Sequence, residues 1–280
     1  MNLKAKIGLG TVQFGLDYGI SNVSGKTPKK EVRRILEFAQ NEDIDTLDTA
    51  NAYGNAETLL GSIGVENFKV VSKFLPEQDL NTSIEEQLKK TLSRLKINSL
   101  YGYLAHRPGD ILDNPGQWKS LKRFKEQGNV NKIGFSLNDP NELKQLLERN
   151  FVPDLVQVPF NYFDRRFEVA MKQLHSKGCE IHSRSTFLQG LFFKDPETLP
   201  SHFEEVKAII QRMKHSKCNL AGSLLRYVLE KPFIDKVIVG VESKDQLFQN
   251  IRSIEIAERL PQKDFEITNS ILNPSKWPKN

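Results

Sequence analysis

Short apolar runs alternate with amphipathic helical stretches along most of this chain. Ile7 to Gly15 is a first extended run. Thr27-Pro28 then predicts a helix start, with Thr27 as cap, Pro28 in the first turn and Val32, Ile35, Leu36, Phe38 and Ala39 lining one face. A second extended run at residues 45–48 turns through Asn51-Ala52-Tyr53-Gly54 and hands over to a helical pattern at Ala56. Further strands are predicted at 69–73, 100–106, 132–136, 155–158, 180–183 and 237–240. Helices are predicted between and after them at 83–95, 118–126, 141–149, 167–176, 203–214 and 221–229, and from the cap Ser243 through Arg252. Gly128 and Gly178 end two of them.

About eight strand–helix units with short apolar strands are what a parallel barrel needs. The expected fold is therefore α/β, a (β/α)8 TIM barrel in a single domain spanning residues 1–280. A barrel of this kind takes about 250 residues, and the chain has 280. With 38% hydrophobic residues and 17 phenylalanines it can fill such a core, and no low-complexity linker divides it. Gly8-Leu9-Gly10-Thr11-Val12-Gln13 starts like a dinucleotide fingerprint, but Gln13 stands where the third glycine belongs.

Net charge is +5, with 40 basic and 35 acidic residues interspersed. The run Lys29-Lys30-Glu31-Val32-Arg33-Arg34 reads as a solvated helix face, because no aromatics interleave with it as single-strand stacking requires. No nucleic-acid partner is expected. No apolar run approaches the roughly 20 residues of a membrane helix, and residues 1–6 lack a signal-peptide core. Two cysteines, Cys179 and Cys218, form no metal-spaced cluster. A cytoplasmic protein without a metal is expected, a monomer or weak homo-oligomer, since a closed barrel leaves no strand edge to cover.

The candidate chemistry lies at strand ends, the edge where barrels build active sites. Asp48 and Tyr53 follow the second strand, Lys73 closes the third and His106 the fourth. Asp, Tyr, Lys and His on successive strand ends form a proton-transfer constellation. Tyr53 is the candidate donor. A free phenol titrates near pH 10, and lowering that by about 2–3 units takes roughly 3–4 kcal/mol. One cation about 4 Å away at an effective dielectric near 20 supplies roughly 4 kcal/mol. Lys73 is that cation, Asp48 would hold it, and His106 would offer a second hydrogen bond. Taken singly, each of these residues is more often a turn, surface or capping residue.

These residues, with Gly8-Leu9-Gly10-Thr11, Gly134-Phe135-Ser136, Gln157-Val158-Pro159-Phe160-Asn161 and Val239-Gly240-Val241-Glu242-Ser243-Lys244, resemble the aldo/keto reductase family over nearly the whole chain. The resemblance implies a nicotinamide cofactor across the barrel mouth and reduction of a carbonyl to an alcohol, or the reverse. The family's catalytic Asp, Tyr, Lys and His fall on Asp48, Tyr53, Lys73 and His106. Cofactor contacts implied are Thr11, Ser136 and Gln157, the last two for the carboxamide. Leu137 replaces a usual Asn beside Ser136. Arg184 falls where the family stacks a Tyr on the ring, and could stack there or bind an anion. Ser185, Leu188 and Gln189 would follow the pyrophosphate. Gly240, Ser243, Lys244, Gln246 and Asn250 would hold the adenosine end. Gln246 stands at a common Arg position and Lys244 is expected to compensate. NADPH is the expected cofactor on family grounds, with NADH left open.

Thr11, Phe14, Tyr53 and either Tyr103 or Phe160 are expected to line an open pocket for a small polar aldehyde, ketone or sugar. A non-catalytic nicotinamide-binding regulatory or partner subunit is the competing reading. A lyase using Lys73 as a Schiff-base amine is a third, and the cofactor motifs speak against it.

Overall fold

The computed structural model describes residues 3–215 and 219–278, so Cys218 lies outside the described residues. Its centre is a closed barrel of eight parallel strands in sequence order. They are β1 (Ile7–Gly10), β2 (Thr46–Asp48), β3 (Lys69–Phe74), β4 (Leu100–Ala105), β5 (Val130–Ser136), β6 (Leu155–Pro159), β7 (Glu180–Arg184) and β8 (Lys236–Gly240). Each pairs with the next, and β8 closes on β1 with Gly10 opposite Gly240. Helices follow the strands, among them Lys29–Asn41, Ala56–Gly61, Ile84–Leu95, Gly116–Glu126 and Lys244–Ile256. The predicted alternation and the (β/α)8 fold are present, with most ends shifted by a residue or two and the last helix running on past Arg252 to Ile256.

Period-two alternation explains the layers. In β3, Ser72 points outward to Glu57 on the neighbouring helix, while Lys73 points into the barrel toward Asp48. Val71, on the same face as Lys73, packs with Leu104 and Leu155 in a small apolar cluster. The large core fills the space between strands and helices.

Two local expectations are corrected. The run 7–15 is not extended throughout: after Gly10 the chain makes one helical turn, Val12–Gly15. That turn lies so close to the loop after β2 that a Cβ on Gly15 would fall 1.8 Å from the Tyr53 carbonyl oxygen. Thr27 does not cap its helix. Pro28 takes the cap position with extended backbone, and the Thr27 hydroxyl is buried without a partner. No helix among the described residues is long and apolar enough to cross a membrane.

Candidate active site

The site grows from the C-terminal ends of β2, β3 and β6. The Lys73 ammonium donates to both Asp48 oxygens, at 2.8 and 2.7 Å, and to the Thr49 carbonyl at 2.9 Å. Gln157 donates from Nε2 to Asp48 Oδ1 at 2.6 Å. Lys73 is wholly buried. Burial opposes its charge, but the Asp48 carboxylate and the Tyr53 hydroxyl outweigh that and hold its pKa above the usual lysine value. The ammonium lies 5.1 Å from the centre of the Tyr53 ring. The His106 ring meets Tyr53 edge-on at 5.9 Å. Burial, then the charges of Lys73, Arg184 and Arg107, press the His106 pKa down to about 3, so the ring is neutral at physiological pH. The structure brings all four expected residues together.

The loop carrying Tyr53 is anchored from below. The Asn51 amide donates to the Lys73 carbonyl at 3.0 Å. Gly54 has a left-handed φ of 55°, and a Cβ there would meet the Gly15 carbonyl at 2.6 Å, so only glycine suits this contact. Beneath it the buried Glu57 carboxylate accepts from Ser72 Oγ at 2.6 Å and Arg94 Nε at 2.8 Å. Arg94 donates a third bond to Asn51 Oδ1 at 3.2 Å. The sequence reading missed this network. Its only signal was a charged residue, Glu57, at the second position of the short helix start Ala56-Glu57-Thr58-Leu59-Leu60.

Above these residues opens a cleft of about 860 Å³, within the range of small-molecule and cofactor sites. Of the expected cofactor residues, Thr11, Ser136, Arg184, Ser185, Gln189, Gly240 and Gln246 line it. The cleft also takes Gln13, Asp17, Tyr18 and Asn138, which sequence reasoning missed. The other expected residues lie outside this lining. Gln157 lies beneath the lining, bound to Asp48. Leu188 is fully buried apolar core. Ser243 caps its helix by accepting from the Gln246 amide. The Lys244 ammonium rests over the Phe38 and Phe248 rings, at 5.4 and 5.8 Å, outside the cleft. Its amide donates to Glu31 Oε1 at 2.8 Å. Asn250 is buried away from the lining. Phe14, Tyr103 and Phe160 are all fully buried and belong to the core between strands and helices.

The cleft suits a polar ligand of extended shape. Gln157 Oε1, Gln13 Oε1 and His106 Nδ1 are buried without a partner, and such groups call for one. Ser185, Leu188 and Gln189 all have left-handed backbones, with φ of 64°, 46° and 52°; strain of this kind collects at ligand clamps. This loop reaches across the mouth. The Ile20 amide donates to the Gln189 carbonyl, and Gln189 Nε2 to the Tyr18 hydroxyl. A second cleft of about 320 Å³ shares His106 and Asn138 with the first. Its wall is mixed, with Gln78, Asp79, Arg107, Asp110, Asp113 and Glu142 beside Pro76 and Pro108.

Known proteins resemble this arrangement. The chain is 22% identical over 264 residues to Rhazimal reductase 2 of Alstonia scholaris, covering 81% of this chain and 79% of that one. Its fold matches the holo form of aldo-keto reductase AKR11C1 from Bacillus halodurans with a TM-score of 0.71 at 21% identity, covering 91% and 88% of the two chains. An aldo-keto reductase from Klebsiella pneumoniae, in complex with NADPH, matches with a TM-score of 0.66 at 17% identity over 90% and 86%. The sequence profile of the aldo/keto reductase family matches residues 6–273. With its closed barrel and cleft-facing strand ends, the chain belongs to the aldo/keto reductase family.

Proposed function

We propose that this protein is an NADPH-dependent enzyme that reduces a small polar aldehyde, ketone or sugar to the alcohol, with Tyr53 as general acid. The observation that carries this is the wholly buried Lys73–Asp48 pair, its ammonium 5.1 Å from the Tyr53 ring. NADPH is the cofactor we assign, because the similar Klebsiella protein is in complex with it. When bound, it supplies the hydride to the carbonyl carbon.

The chain's own residues do the rest. The Tyr53 hydroxyl donates its proton to the oxygen as negative charge grows there. Lys73 stabilises the phenolate left behind, and Asp48 fixes Lys73 and offsets part of its field. Neutral His106 donates a hydrogen bond to the same oxygen and orients the carbonyl. The unpartnered Gln157 Oε1 and the Ser136 hydroxyl suit the two polar atoms of a carboxamide. Thr11, Ser185, Gln189, Gly240 and Gln246 hold the remainder of the cofactor along the cleft. The carboxylates and amides of Asp79, Asp110, Asp113, Glu142, Gln78 and Asn138 in the second cleft, beyond His106, suit a substrate with several hydroxyl groups. We read residues 1–280 as one domain of a cytoplasmic monomer or weak homo-oligomer.

Fluorescence titration with NADPH and NADH in parallel, followed by a carbonyl panel, tests the reading. Saturable NADPH binding and turnover of polar carbonyls are expected. Binding of neither nucleotide, or turnover of bulky apolar ketones alone, would contradict it.

A further inference from the structure

Two cations face the reaction centre, and they are treated differently. Lys73 is neutralised by Asp48. Arg184, the last residue of β7, lines the same cleft as Asp48, Tyr53 and His106. Its guanidinium is pinned by three neutral acceptors: the Leu137 carbonyl at 2.9 Å, Asn138 Oδ1 at 2.6 Å and Ser185 Oγ at 3.2 Å. Among the described residues it makes no ion pair, unlike Arg165 and Arg166 on the adjoining loop, which bind Glu168 and Asp164. Its charge is thus held in place and left uncompensated. Its field reaches the reacting groups, since Arg184 is among the charges that keep His106 neutral.

We propose that Arg184 makes this site discriminate the redox state of the nicotinamide, favouring the reduced cofactor over the oxidised one. This rests on the cofactor reading above. The oxidised ring carries a positive charge and the reduced ring none, while the phosphates are the same in both. Attraction of Arg184 for phosphate therefore cancels in the ratio of the two affinities, and repulsion of the oxidised ring does not. An unscreened unit charge several ångströms away is worth roughly tenfold to a hundredfold in an equilibrium constant at an effective dielectric near 20. Partial exposure of the guanidinium puts the expectation at the lower end. The consequence is directional: the oxidised product leaves readily, and the site is poised for reduction.

The test compares dissociation constants, not turnover. NADPH affinity is read from its fluorescence, and NADP+ affinity from displacement of NADPH, in the unaltered protein, Arg184→Met and Arg184→Lys. The unaltered protein binds NADPH at least about tenfold more tightly than NADP+. Arg184→Met narrows that ratio several-fold, mainly by tightening NADP+. Arg184→Lys, which keeps the charge, preserves most of it. An Arg184→Met ratio equal to that of the unaltered protein overturns the proposal. So does an equal weakening of both nucleotides, which would assign Arg184 to the phosphates. Failure of the unaltered protein to bind either nucleotide overturns the cofactor reading itself, together with this inference.

Discussion

The two mouths of the barrel are both rich in charge, and they dispose of it in opposite ways. At the N-terminal mouth Asp45 accepts from Lys69 at 2.8 Å and from Lys236 at 2.5 Å, and Lys236 also reaches the Ala5 carbonyl. Burial works against the Asp45 charge, but the bonds from Lys236, Lys69 and Thr46 prevail and hold its pKa down to about 2. Glu180 accepts from Lys132 and from the Tyr101 hydroxyl, and it meets His182 Nε2 at 2.6 Å. Burial again opposes its charge, and His182, Lys132 and Tyr101 lower its pKa to about 2. At the C-terminal mouth Lys73 with Asp48 and, on the surrounding loops, Arg166 with Asp164 and Arg107 with Asp79 are matched in this way, but the matching is incomplete. Arg184 has no carboxylate among the described residues, and Gln157 Oε1 and His106 Nδ1 have no partner. Charge closed on itself gives stability, while charge left open gives a place for a ligand. This is the usual division of labour between the two faces of a barrel.

The largest expected effect comes from the buried pair at the reaction centre, Lys73 with Asp48. Lys73→Met leaves the buried Asp48 carboxylate without its counter-charge. Denaturant unfolding should show a loss of about 3–5 kcal/mol, and turnover per folded molecule should fall as well. A change in turnover alone would mean that the pair adds nothing to the fold.

Acid comes next. The fold holds His106 neutral down to about pH 3, while in the unfolded chain it takes up a proton near 6.5. Its contribution is therefore complete above 6.5 and is lost as pH falls from there toward 3. Between pH 6.5 and 4.5 the loss is about 2–3 kcal/mol at 1.36 per unit. Below that Glu180 and Asp45 add their own losses, since their lowered pKa values make the ionised form the stabilising one. Denaturation across this range should show the upper part of the slope in the unaltered protein and not in His106→Gln.

At the opposite mouth Glu180→Gln should cost about 1–2 kcal/mol, because Lys132 and Tyr101 lose a charged acceptor. Turnover per folded molecule should not change. The smallest effect belongs to Asp45→Asn, with about 1 kcal/mol expected for a half-buried carboxylate at the rim that Lys69 and Lys236 share. A fall in turnover with either variant would erase the distinction between the mouths.

The sequence made strand ends legible because a barrel strand is a short apolar run that stops at a polar residue. Asp48, Lys73 and His106 each marked such a stop, and the buried Lys73–Asp48 pair follows from placing opposite charges on adjacent strands. The lining of the cleft was harder to read. Barrel strands are buried on both faces, so alternation does not tell a residue that packs against helices from one that faces the mouth. Tyr103 fell on the wrong side for that reason, while Phe14 turned inward with the helical turn after β1 and Phe160 lies just past the end of β6. The resting place of Lys244 was not legible because the rings that hold it, Phe38 and Phe248, come from two helices far apart in sequence. Glu57 and Arg94 escaped notice likewise, since their link spans 37 residues.

The most direct test of the account is Tyr53→Phe, measured for both NADPH binding and carbonyl turnover. The account predicts NADPH affinity within about twofold of the unaltered protein and a loss of roughly a hundredfold or more in rate. Unchanged turnover, or the absence of turnover in the unaltered protein despite tight NADPH binding, would contradict it. The second of those results would make this barrel a nicotinamide-binding partner subunit and not a reductase.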